Sequence, residues 1–229
     1  ATWASLHSDA FITDDDEFRR TLSAALSAAQ SGDHLLTTGV RPRFPATGYG
    51  YIQVGDALGA VAGYEVRRVR RFVEKPDLET AQKYLATGRY YWNSGMFAFT
   101  ADTIIAALEK HAPEVIRAAR HALETSKTSG NSVNFDLHAF GLQPDISIDY
   151  AVAERTAHAA VVPADIGWTD VGSWGALWEL GARDADGNVA LGDVLLEGAS
   201  DCYVRSDGIA TAVVGLEDAV VVVTEDAVL

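Results

Sequence analysis

The sequence predicts an α/β fold built on a mixed, mainly parallel sheet and followed by a small all-β tail. Three observations lead there. Strand and helix patterns alternate as far as residue 187, which argues for layers of helix against sheet. After Gly187-Asn188 only strand-like pieces follow: NVALGDVLL, CYVRS, IATAVVG and AVVVVTE. The 229 residues are 48% hydrophobic, ample for a sizeable core. The expected division is 1–187 for the α/β domain and 188–229 for the tail.

Thr2–Leu6 reads as a short strand ending at His7-Ser8-Asp9. Asp14, Asp15, Asp16 and Glu17 then open a helix, where negative charge suits the dipole. Phe18, Leu22, Ala25, Leu26 and Ala29 follow at helical spacing, and Gly32 is the expected stop. His34–Val40 is a buried strand, and the two prolines and two arginines of Arg41–Pro45 mark a loop. Glu65–Phe72 alternates apolar and basic residues, a strand with one wet face. Helices are expected at Asp77–Thr87, Ala101–Lys110, Pro113–Thr125, Ile148–Ala157 and Ser173–Ala182, with Pro113 in a first turn and Ser173 as a cap. Met96–Phe99 and Ala159–Pro163 read as strands, and Lys127–Asn131 as a loop. In the tail the string Glu-Asp-Ala-Val occurs at 217–220 and 225–228, suggesting successive strands joined by acidic turns.

Composition excludes several roles. A net charge of −14 repels nucleic acid and anionic membranes. No apolar run is long enough to span a bilayer, and the first residues carry no signal-peptide pattern. Cys202, the single cysteine, forms no disulfide framework or zinc cluster and reads as a small strand hydrophobe. The expected compartment is a reducing cytoplasm. Both ends look cut, since the chain opens directly on a strand pattern and stops on Ala227-Val228-Leu229.

Four clusters combine special backbone residues with polar groups. In LHSDAFI, Asp9 stands at a strand end, where α/β folds place ligands; it could hold Mg²⁺, although local sequence alone favours a helix cap or surface turn. In ATGYGYI, Gly48 and Gly50 flank Tyr49, and they serve either close approach to a ligand or a hairpin turn. In FVEKP, Glu74 and Lys75 point to opposite faces of a strand end, so they pair only if the strand twists there; one could accept sugar hydroxyls and the other meet a phosphate, or both could be solvated charges. In GWTDVGSW, Asp170 lies between two tryptophans, and a packed carboxylate there needs a partner, for which a cation is suited.

The segments TGYGYI, FVEKPD, YWNSGMF, SIDYAVAE and GWTDVGSW, in that order, resemble mannose-1-phosphate guanylyltransferases, members of the sugar-phosphate nucleotidyltransferases. The likeness extends over nearly the whole chain. FVEKP and NSGMF alone would indicate only a sugar nucleotidyltransferase; GWTDVGSW and SIDYAV favour mannose 1-phosphate and GTP. The resemblance implies a Rossmann-like nucleotidyltransferase domain with a β-rich or β-helix-like tail. It implies the reaction of GTP with mannose 1-phosphate to give GDP-mannose and pyrophosphate, with Mg²⁺. By position, Asp9 and Asp170 match the metal carboxylates, Glu74 a sugar-hydroxyl ligand and Lys75 the sugar-phosphate contact. Asn93 and Ser94 of the WNSG segment, the backbone of Gly48, Tyr49 and Gly50, and Asp149 match the substrate site. Lys75, Asp9 and Asp170 would be the catalytic set, with small-molecule substrates as the partners and a homodimer left open.

Two departures qualify these expectations. The family has Asp-His where this chain has Asp9-Ala10. The family's glycine-rich loop, with its Arg and following Lys, has no counterpart here, so the nucleotide-binding N-terminal segment is expected to precede Ala1 and this chain alone is expected to be inactive. The other readings are a sugar-1-phosphate nucleotidyltransferase of different base or sugar, and a non-catalytic regulatory homologue.

Overall fold

The computed structural model describes residues 1–229. The chain forms two compact units: residues 1–8 with 12–168, and residues 9–11 with 169–229. No helix is long and apolar enough to cross a membrane.

The first unit is a six-stranded sheet with helices on it, and two short strands at residues 11–12 and 168–169 are divided between the units. In chain order come β1 (Thr2–Ser5), β2 (Phe11–Ile12), α1 (Asp15–Ser31), β3 (Leu35–Val40), β4 (Gly50–Val61), β5 (Tyr64–Val73), α2 (Leu78–Thr87), β6 (Tyr90–Thr100), α3 (Ala101–His111) and α4 (Pro113–Glu124). A short hairpin, β7 (Lys127–Ser129) and β8 (Ser132–Asn134), stands where a loop was expected; α5 (Leu137–Gly141), a π-helical turn at Asp149–Ala153, β9 (Ala159–Ala164) and β10 (Trp168–Thr169) follow. Local chemistry sets the helix starts: Asp14 Oδ1 accepts from Glu17 N at 2.8 Å, and Asp77 Oδ1 from Thr80 N at 2.8 Å.

The strand order is β1-β6-β3-β9-β5-β4, with β4 also pairing β6. The α/β class stands, but the mainly parallel sheet does not. Only β3–β9 is parallel; β1–β6, β3–β6, β4–β5, β4–β6 and β5–β9 are antiparallel. Strand–helix alternation reports layers, not strand direction. Direction is set here by a tight turn at Ala62 and Gly63, both at positive φ (52° and 87°), which folds β4 onto β5 as a hairpin.

The pleat sorts the core onto two faces. Leu35, Phe97 and Val161 pack with Ile52, Phe72 and Val152, while Leu36, Ala98, Ala160 and Val162 pack against Ala25, Ala28 and Ala29 of α1. The small alanine face lets α1 lie close on the sheet. This rigid frame carries the site residues on β5 and β6.

The second unit contains α6 (Trp174–Leu180), β11 (Val189–Leu191), β12 (Val194–Glu197), β13 (Tyr203–Ser206), β14 (Thr211–Val214) and β15 (Val220–Val223). Ser173 caps α6, its Oγ accepting from Ala176 N at 3.2 Å. From residue 189 onward there are strands and no helix, as the β-branched pattern predicts. Strands β11, β13 and β15 pair in parallel, as do β12 and β14, so the chain alternates between two narrow parallel sheets. Their core is Ala199, Cys202, Val204 and Val213. Cys202 is fully buried as a small hydrophobe, its thiol donating to Ser200 O.

Candidate substrate site

The polar cluster of the first unit gathers at one point on β6. Asn93, like Trp92 before it, is paired by both β3 and β4, opposite Gly39 and Gly50. Beyond it the β3–β6 register slips: Thr37 pairs Phe97, yet Gly39 pairs Asn93. Ser94-Gly95-Met96 therefore bulges from the ladder. Gly95 sits at φ +73°, and a Cβ there would lie 2.2 Å from His7 Nε2. Ser94 is buried, its hydroxyl donating to Thr38 O at 2.9 Å, so it holds the bulge shut. The NSGM segment is thus a kinked strand rather than the start of one.

The bulge presents Asn93 in one orientation. Thr37 Oγ1 donates to Asn93 Oδ1 at 2.7 Å, and Asn93 Nδ2 donates to Asp149 Oδ1 at 3.0 Å. Burial pushes the Asp149 carboxyl up, and its hydrogen bonds and His7 offset only part of that.

Glu74 and Lys75 follow β5. The left-handed backbone at Lys75 (φ 48°) turns the strand end, so the two side chains do pair, Nζ to Oε1 at 3.8 Å. Two bonds hold this turn: Lys75 N donates to Tyr49 O at 3.2 Å, and Glu74 N to Glu154 Oε1 at 2.8 Å. A non-glycine residue at such φ costs about 1–3 kcal/mol and concentrates at functional sites. Glu74 is nearly buried, at 11% side-chain exposure, while Lys75 reaches solvent at 60%. Burial first, then the Asp149 carboxylate and Glu154, push Glu74 up to about 7 against the pull of Lys75. Near neutral pH both the protonated and ionised forms of Glu74 are therefore populated, so it can donate to or accept from hydroxyls.

The TGYG segment borders the same residues. A Cβ on Gly50 would lie 2.4 Å from Glu74 Oε2, so glycine there makes room for the carboxylate. Space over Gly48 is open within 4 Å. Tyr49 packs edge-on against Trp92 and Trp168, with centroids 5.1 and 5.3 Å away. Sequence reading missed Thr37, which nothing local marks; His7 and Glu154 lie inside the LHSDAFI and SIDYAVAE segments but were given no role.

The second unit holds the two remaining candidates. Asp9 is exposed in the segment 9–11, which groups with 169–229 and hence with Asp170. Asp170 Oδ1 accepts from Gly172 N at 3.1 Å across Val171, itself at φ 54°. Of the two flanking tryptophans only Trp168 is buried; Trp174 is 40% exposed.

The model of the nucleotidyl transferase family matches residues 2–187. The chain belongs to that family. Among curated nucleotidyl transferase relatives, it is 45% identical over 224 residues to a mannose-1-phosphate guanylyltransferase of Escherichia coli K12, covering 98% of this chain and 47% of that protein. It is 47% identical over 227 residues to a mannose-1-phosphate guanylyltransferase of Salmonella montevideo, covering 98% of this chain and 48% of the relative. The chain thus spans about half the length of the curated relatives it matches. A solved structure described as a mannose-1-phosphate geranyltransferase of Thermus thermophilus superposes with a TM-score of 0.85 at 33% identity, covering all of this chain and 64% of that one.

Proposed function

We propose that the chain is the sugar-phosphate-binding share of an enzyme that transfers a guanylyl group from GTP to mannose 1-phosphate, releasing pyrophosphate. The observation that carries this reading is the Asn93–Asp149–Glu74–Lys75 cluster in a chain whose relatives are named for that reaction. Three polar side chains that can bond hydroxyls stand beside one exposed cation, which is the chemistry of a sugar carrying a phosphate.

Each residue then has a role. Lys75 holds the phosphate whose oxygen attacks the α-phosphorus of GTP, and offsets its charge. Glu74 and Asn93 bind sugar hydroxyls, and Asp149 and Thr37 fix the rotamer of Asn93. The attack is in line, without a covalent enzyme intermediate, so positioning supplies most of the acceleration. Asp9 and Asp170 are hard oxygen donors of the kind Mg²⁺ takes and would hold that ion. Mg²⁺ would neutralise phosphate charge when bound.

The test is calorimetric titration of the chain with mannose 1-phosphate, glucose 1-phosphate and Mg·GTP. The reading expects a preference for mannose 1-phosphate over glucose 1-phosphate, and in Lys75→Ala a loss of affinity for both sugar phosphates. Equal binding of both sugar phosphates would move the assignment to another sugar, and binding of neither would remove it.

A further inference from the structure

At the opposite end of β3 lies a second polar cluster that sugar-phosphate chemistry does not use. Asp33 and His34 immediately precede β3, and His158 immediately precedes β9. The two strands run parallel in register, Leu35 opposite Ala159, so the three residues lie together at one end of the sheet. Roughly 16 Å of strand separates His34 from Gly39, the residue opposite Asn93. Leu35 N donates to His158 O at 3.0 Å and fixes the two segments together.

We propose that Asp33, His34 and His158 bind a divalent first-row transition-metal ion. One ligand atom from each residue lies within 4.8 Å of the other two. A metal held at about 2.0–2.2 Å from each sets donors roughly 3.4 Å apart, a rearrangement that rotation of the partly exposed side chains supplies. Two imidazoles and one carboxylate suit zinc, cobalt, nickel or ferrous ions, not Mg²⁺.

The surroundings fit a metal. His34 Nδ1 lies 3.3 Å from His158 O, and donating there leaves the lone pair for a metal on Nε2. His158 Nδ1 is 2.9 Å from Asp33 Oδ2, so carboxylate and imidazole already face each other. A cavity of about 160 Å³ adjoins the cluster, lined by Asp33, His158, Thr103, Lys110, His111 and Thr156. Lys110 favours an anion in the position the protein leaves open, such as hydroxide or inorganic phosphate. Three ligands with an open fourth position is the pattern of an exchangeable rather than a closed structural site.

The experiment is titration of the chain with Co²⁺ in millimolar Mg²⁺, followed by visible absorption. Excess Mg²⁺ occupies any all-carboxylate site, so the cobalt signal reports imidazole ligation. One equivalent should bind, and His34→Ala and His158→Ala should each weaken binding at least about tenfold. His121→Ala, at an exposed position in α4, should change nothing. An independent readout needs no variant: in the wild-type chain Co²⁺ should broaden the amide signals of Leu35 and Ala159 and spare that of Asn93. Cobalt binding that survives His158→Ala, or broadening centred elsewhere, would overturn the proposal.

Discussion

Two buried asparagines show how differently the two units use the same residue. Asn188, in the second unit, is satisfied on every side. Its amide donates to Asp184 Oδ2 at 3.1 Å and Ala199 O at 2.9 Å, its carbonyl accepts from Cys202 N at 3.0 Å, and its own N–H meets Asp184 Oδ1 at 2.8 Å. All of these partners are backbone groups or lie within four residues, so the network joins the first turns of the parallel strands. Asn93, in the first unit, bonds two side chains, Thr37 and Asp149, and beside it stands a carboxyl driven up to about 7. One asparagine completes a structure. The other belongs to a cluster kept under electrostatic and backbone strain, the state expected where a ligand supplies the missing partners.

Asn188→Ala should sharpen the contrast most. It leaves Cys202 N and Ala199 O buried without their side-chain partner. The expected loss is about 2–4 kcal/mol in urea unfolding, with mannose 1-phosphate affinity unchanged in the fraction that remains folded. A loss of sugar-phosphate affinity in that fraction would break the distinction.

Glu74→Gln should move stability the other way. With a folded pKa of about 7 against an ordinary 4.5, Glu74 binds more protons folded than unfolded. Its favourable contribution is therefore full below pH 4.5 and is lost as pH rises through 7. The neutral isostere should be about 3 kcal/mol more stable than wild type above pH 7, with the gap closing toward pH 4.5. Urea titrations at pH 5 and pH 8 measure this. A gap that does not grow with pH would show that Glu74 carries no such strain.

Asn93→Asp should cost mannose 1-phosphate affinity by about tenfold, since a second carboxylate facing Asp149 repels it. Val171→Gly should have the smallest effect, a gain of about 0.5–1 kcal/mol, because glycine relieves the positive φ of a β-branched residue. No gain there would mean that neighbouring contacts hold the turn without strain.

What was legible in the sequence follows the range of the interactions. The start of α1 was readable because Asp14 caps a helix three residues away. The tail was readable because its β-branched runs admit little else. β4 was not: Gly50–Val61 contains three glycines and no clean alternation, and it is a strand because β5 and β6 pair it on both sides. At the site, Glu74, Lys75 and Asn93 stood out through motifs. The partners that orient Asn93 are each 56 positions from it, Thr37 before and Asp149 after, so only the fold brings them together. The pairing of Glu74 with Lys75 depended on a left-handed residue that strand periodicity does not reveal.

The central claim is that the first unit's strained cluster is a sugar-phosphate site with Lys75 on the phosphate. It is tested most directly by calorimetric titration of mannose 1-phosphate into wild-type chain and Lys75→Ala. One site should be seen in the wild type, and its dissociation constant should rise by about 10–100-fold in the variant, the worth of a charge-assisted phosphate contact. Equal affinity of the two proteins would contradict the assignment of Lys75 and, with it, the reading of the cluster.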